Sequence, residues 1–224
     1  MTVHIHERGL VPSIEGASLI GFHVVAPYLR GWRKRWGATP EECRRAYPGD
    51  DLIPNPRWSS TNAVSIQAPP EAVWPWLVQM GDGRAGLYSY QTLENMVGCK
   101  MRNLTVIAPD LQTLKPGDAI KLHDKIPGLP VQLVRPPEAL LVGAPPDAAG
   151  VAATWGWFLT PAGKGATRLV ARWRTVYPLT TGARLGYGQL LMEPITFVMS
   201  RKMLLGIKAR AEAMALNSRV PQPV

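Results

Sequence analysis

The chain has 224 residues, with 25 Lys+Arg against 16 Asp+Glu and a formal net charge of +9. Apolar residues make up 46% and charged residues only 18%, below the usual charged share of about 25%, so the chain is basic because acids are few. Eight Trp exclude a disordered chain, the 21 Gly follow no collagen period, and the length suits one sizeable core or a domain plus an extension.

Two cysteines, Cys43 and Cys99, make neither a disulfide framework nor a zinc ligand pair. They point to reduced thiols in the cytoplasm. No metal and no cofactor is expected. His4 and His6 lack a third ligand and are expected in an unstructured terminus.

Residues 1–36 form an N-terminal arm. Its apolar run, 17–29, precedes Arg30, Arg33, Lys34 and Arg35, the reverse of a signal peptide. About 13 residues are too few to span a membrane, which takes about 20. Trp32 and Trp36 among the basic residues suit an interfacial anchor. Two readings follow: residues 17–36 lie on an anionic membrane surface at the inner face, or the arm packs on the chain's own body or on a second copy in a homodimer. Pro27 argues for packing, since it spoils a clean amphipathic helix.

Residues 37–60 are a Pro- and charge-rich connector. Thr39, Pro40 and Glu42 have the spacing of a capped short helix. Pro48-Gly49 ends it, and Pro54 and Pro56 force extended chain.

The body covers residues 61–217, with a short tail at 218–224. Alternation over 61–67 predicts a strand. Pro70 opens a helix over 71–80 that Pro75 should kink. Ser89 is the expected cap of a second helix over 88–97, stopped by Gly98. Short strands punctuated by Pro and Gly follow at 119–123, 131–134, 139–143, 152–160 and 167–177, the last two joined as a hairpin. A long helix over 195–217 ends the domain. This order is α+β: a curved antiparallel sheet wrapped over one C-terminal helix.

Candidate ligand contacts come from period and wheel. Trp155, Trp157 and Leu159 share one strand face, and Leu169, Ala171, Trp173, Thr175 and Tyr177 share another. These faces are expected inward, leaving Arg168, Arg172 and Arg174 outward, with Arg172 reaching a ligand carboxylate or enolate as the sharper alternative. On the long helix Met199, Met203, Leu204, Ile207, Ala211 and Met214 fall on one arc, with Arg210 at its edge. Methionines fill core and also suit adaptable pockets. Tyr90 and Glu94 share a helix face, with Tyr88 just before it. A Glu among tyrosines could serve as general acid or base.

The stretch APPEAVWPWLVQMG at 68–81, with Trp36-Gly37-Ala38-Thr39, Pro48-Gly49-Asp50, Leu87-Tyr88-Ser89-Tyr90, Leu93-Glu94-Asn95 and MSRKMLLGIKA at 199–209, resembles bacterial SRPBCC proteins. These are the START-like, helix-grip superfamily that includes polyketide cyclase/dehydrase-like proteins. The resemblance covers residues 34–216. It implies a sheet of about seven strands gripping the C-terminal helix around a deep apolar cavity. The seventh strand would lie in 103–109 or in the connector. It transfers no catalytic residue, since the superfamily holds enzymes, carriers and sensors.

Other motifs are declined. Gly163-Lys164-Gly165-Ala166-Thr167 lies between strands and lacks the P-loop glycine. No GxSxG or HExxH is present. The basic residues are spread over the chain with no nucleic-acid motif, so nucleic acid is not an expected partner.

Three functions compete. In the first, a small hydrophobic or amphipathic molecule, lipid- or polyketide-like, binds between sheet and helix against Tyr88, Tyr90, Glu94, Trp155, Trp157, Trp173, Tyr177, Met199, Met203 and Ile207. In the second, a cyclase- or aromatase-type enzyme uses Glu94, Tyr90 and Arg172 as its candidate catalytic groups. In the third, a peripheral membrane protein takes up a lipid.

Overall fold

The computed structural model describes residues 10–148, 150–182, 188 and 191–217. His4, His6 and the tail at 218–224 lie outside the described residues. Six helices and six strands follow one another as α1 (Leu10–Val25), α2 (Arg30–Arg33), α3 (Pro40–Arg44), β1 (Trp58–Ile66), α4 (Pro70–Val78), α5 (Gln91–Met96), β2 (Ala119–Ile120), β3 (Leu129–Arg135), β4 (Ala139–Ala144), β5 (Ala152–Pro161), β6 (Thr167–Val176) and α6 (Met192–Asn217) among the described residues. The sheet is antiparallel throughout, in the order β1-β6-β5-β4-β3-β2. β1 therefore lies beside the last strand, and α6 returns along the inner face to pack on β1 and α4. This is a helix-grip arrangement of α+β class.

The inner face follows from the strand period. The register sets Trp155 opposite Trp173, Trp157 opposite Ala171, and Leu159 opposite Leu169. Val64 continues that row on β1 opposite Leu169. One buried cluster joins these residues to Leu77 and Met80 of the α4 region and to Met203, Leu204, Ile207 and Ala211 of α6. The apolar arc of the last helix, Met199 apart, is thus its core face.

The outer face carries the arginine row, and the connector covers it. Arg168 donates to both carboxylate oxygens of Glu42, at 2.7 and 2.8 Å. Arg172 pairs with Asp50 at 2.7 Å and donates to Thr61 Oγ1 at 2.9 Å. Arg174 donates to the carbonyls of Ile53 and Pro54. The short helix α3 forms as its spacing predicts: Thr39 and Glu42 cap each other's backbone N–H. The same Glu42 carboxylate thereby caps α3 and anchors it to β6.

Two expectations are corrected. No seventh strand forms over 103–109, because its backbone groups are taken elsewhere. Asn103 N–H donates to Gln91 Oε1, Leu104 N–H to the Ala85 carbonyl, and Ala108 N–H to Gln79 Oε1. Ser89 does not cap α5; its hydroxyl donates to the Met199 carbonyl on α6, and Tyr90 precedes the helix without a side-chain cap. The arm's first part is a helix, α1, which packs on α6 and α5. Gly16 makes that approach close, since a Cβ there would lie 2.7 Å from Leu93 Cδ1 and 3.0 Å from Tyr90 Cγ.

Candidate functional site: an aromatic interior and a groove under the first helix

The interior between sheet and α6 is built from indoles. Trp155 and Trp157 stand two residues apart on β5, so both point inward, with ring centroids 4.5 Å apart. Trp173, opposite Trp155 on β6, meets it edge-on at 5.1 Å. Trp58 of β1 approaches Trp173 at 6.3 Å. From α4, Trp76 joins the same buried cluster. The Nε1 atoms of Trp58, Trp76, Trp157 and Trp173 are buried, with no hydrogen-bond partner among the described residues.

Tyr88 closes one side of this interior. It is fully buried and holds φ at +56°, a left-handed conformation uncommon for a bulky residue. Its surroundings over-determine it. Asn103 Oδ1 accepts from its backbone N–H at 2.8 Å. Its hydroxyl donates to the Trp76 carbonyl at 3.1 Å and accepts from Gln79 Nε2 at 2.9 Å. The Arg210 guanidinium lies over its ring, 4.5 Å from the centroid, and donates to the Leu104 carbonyl. Arg210 is therefore a core residue, 2% exposed, rather than one at the edge of the apolar arc.

The other sequence candidates separate. Met203 and Ile207 lie in the interior cluster with Trp155 and Trp157. Tyr90 and Met199 do not. They pack with Phe197, Val198 and Leu93 in a second cluster beneath α1. There the Tyr90 hydroxyl donates to Glu15 of α1 at 3.3 Å, and burial with that carboxylate pushes its pKa up to about 12. Glu94 is buried on α5. Burial, with the negative charges of Asp82, Glu94 and Asp124, pushes the Cys99 thiol up to about 11, which keeps it protonated and unreactive. Tyr177 is buried just past the end of β6, its carbonyl accepting from Arg57. Arg172 is on the outer face against Asp50, so the alternative that it reaches an interior ligand is overturned: the two-residue period turns it away from Trp173.

A second concavity lies under the arm. Leu19, Phe22, His23, Leu29, Trp32 and Trp36 face Phe197, Val198 and Arg201 of α6 across a groove of about 500 Å³. Phe197 is its centre, within 5.0 Å of His23, 5.3 Å of Trp32 and 6.4 Å of Trp36 by ring centroid. The wheel count places Met199 and Met203 on one arc and is silent on which body each faces. That silence is why this groove escapes a sequence reading. Tyr88 was among the expected ligand contacts, whereas Trp76 was legible only as a landmark of the 68–81 stretch.

No family model matches the chain, and no curated protein matches it. Among solved structures it is similar to protein MLL2253 from Mesorhizobium loti, at 22% identity over 62% of this chain and 96% of that one, with a TM-score of 0.30. Protein CV1439 from Chromobacterium violaceum is 14% identical over 71% of this chain and 99% of that one, with a TM-score of 0.40. CalC from Micromonospora echinospora, described as a self-sacrificing resistance protein, is 13% identical over 70% and 96%, with a TM-score of 0.40. Likenesses this distant carry no argument about ligand or activity.

Among the described residues no three His, Cys, Asp or Glu side chains are grouped to hold a metal ion. None of the described helices is long and apolar enough to cross a membrane.

Proposed function

We propose that the chain binds a small, largely apolar molecule bearing hydrogen-bond acceptors, lipid- or polyketide-like, between the sheet and α6. This is a use open to the helix-grip superfamily that the sequence resembles. The observation that carries the reading is the set of buried indole donors. Leaving a buried N–H without an acceptor costs about 1–3 kcal/mol. Trp76 and Trp157 are 2% and 1% exposed, so bulk water does not offset that cost for them. A ligand carbonyl, ether or hydroxyl oxygen would. The apolar contact then comes from Trp155, Trp157, Trp173, Met203 and Ile207, and orientation from the indole N–H groups rather than from Tyr90 and Glu94.

The cyclase-type reading has no observation in its favour. The Tyr88 hydroxyl is engaged by Gln79 and the Trp76 carbonyl, the Tyr90 phenol is tied to α1, and Arg172 is locked on the outer face. Two of its three candidate groups, Tyr90 and Arg172, therefore converge on no common point.

A neutral, ketone-bearing solvatochromic naphthalene such as prodan tests the proposal. The expected result is saturable, blue-shifted emission sensitised by tryptophan. Trp157→Phe, which removes the donor and keeps a ring, should weaken binding about five- to tenfold, the worth of one hydrogen bond of about 1 kcal/mol. Emission that stays water-like, or equal affinity in the variant, contradicts it.

A further inference from the structure

The groove under α1 is a second concavity, with Trp36 between it and the interior cluster. We propose that it binds a small aromatic monoanion, such as an arene carboxylate, with its ring on the Trp32 and Phe197 wall and its charge toward Arg201.

Three observations converge. The first is shape. At about 500 Å³ the groove is within the range of small-molecule sites, roughly 300–1,000 Å³. Its wall is aromatic, with His23, Trp32 and Phe197 meeting one another at 5.0–6.1 Å, the spacing at which a further ring gains by edge or offset contact.

The second is uncompensated positive charge. Glu193 is the buried carboxylate nearby, and Arg30 takes both its oxygens at 2.7 Å. Among the described residues no acid lies within ion-pair distance of Arg33 or Arg201. Arg201 lines the groove with its guanidinium 5.1 Å from the Trp36 ring centroid. That stacking orients the fork and leaves its N–H edge for a carboxylate. Burial first, then the charges of Arg33 and Arg201, hold the His23 imidazole below its ordinary range. Of these causes the charges of Arg33 and Arg201 are the part that favours an anion in the groove.

The third is an unmet hydrogen bond on a residue that lines the groove. His23 is 5% exposed, lines the groove, and its Nδ1 has no partner among the described residues. Arg33 is 3% exposed and donates through Nη1 to the His23 carbonyl, while its Nε also lacks a partner. A buried ring nitrogen of this kind is a cost that a polar ligand atom removes.

The test is calorimetric titration of the full chain with 2-naphthoate and with its neutral isostere 2-naphthamide. The naphthoate should bind at one site and at least tenfold more tightly than the amide. Arg201→Gln should abolish that preference. Leu19→Trp, which fills the groove without touching the charges, should block both probes there and leave prodan binding in the interior intact. Circular dichroism shows whether each variant keeps its fold. Equal affinity for the two probes, or naphthoate binding untouched by both variants, overturns the proposal. So does association of this face with anionic phosphatidylglycerol vesicles in a chain that ignores naphthoate, which would assign Val25, Tyr28 and Trp32, exposed by 76%, 77% and 45%, to a lipid surface instead.

Discussion

Asn103 shows how one polar side chain can hold a strained residue. It accepts from the Tyr88 N–H and donates through Nδ2 to the Ser89 carbonyl, so both backbone groups are satisfied inside the protein. Asn103→Ala orphans the Tyr88 N–H and frees Tyr88 from its left-handed conformation, while the Ser89 carbonyl still accepts from the Gln91 N–H at 3.0 Å. The expected loss is about 1–3 kcal/mol in urea unfolding, the cost of one buried group. Glu42 offers a pH test at the same scale. Its bond to Arg168 holds its carboxyl below the usual range, so the folded chain binds fewer protons there than the unfolded one. The stabilisation is complete above the unfolded pKa of about 4.3 and is lost as the pH falls through the folded value. Glu42→Gln should therefore cost about 1–3 kcal/mol at pH 7, with wild type and variant converging in acid. A constant difference across the titration would contradict this account of the pair.

At the scale of elements, the arm is a docked helix whose seat is one glycine. A methyl at Gly16 meets the end of Leu93 first, which can move, and then the Tyr90 ring, which is buried. Gly16→Ala should be nearly neutral, since helix propensity offsets part of the clash. Gly16→Val should undock α1 at a cost of about 1–3 kcal/mol, read as faster proteolysis within residues 10–25 and a Tyr90 phenol whose pKa falls back toward 10. The sequence shows why some elements were legible and this one was not. The α3 cap lies within four residues, and the arginine row needs only a period of two. The seat of α1 depends on residues about 75 positions apart, and Pro27, which argued for packing of the arm, lies just past the end of α1 at the start of the next turn. The resemblance implied a seventh strand in 103–109 or in the connector, but over 103–109 the Gln91 and Gln79 side chains and the Ala85 carbonyl claim backbone N–H groups. Tyr90 and Tyr88 are two residues apart and fall in different clusters, which no local period predicts.

At the scale of the molecule, the net charge of +9 divides by role. The β6 arginines pin the connector to the sheet through Glu42 and Asp50. Arg33 and Arg201 leave positive charge beside the groove under α1. The interior between sheet and α6 is instead apolar, with indole N–H groups as donors, and Arg210 is turned onto Tyr88 and the Leu104 carbonyl. The charges thus lie mostly outside an aromatic interior, and the proposed ligand of that interior is a neutral, acceptor-bearing molecule. The most direct measurement is native mass spectrometry of the purified chain, compared with its denatured mass. The account predicts a small oxygen-containing organic molecule, or added prodan, retained without covalent attachment and at reduced occupancy in Trp157→Phe. A native mass equal to the bare chain in every preparation, with no retention of prodan when it is added, would contradict it.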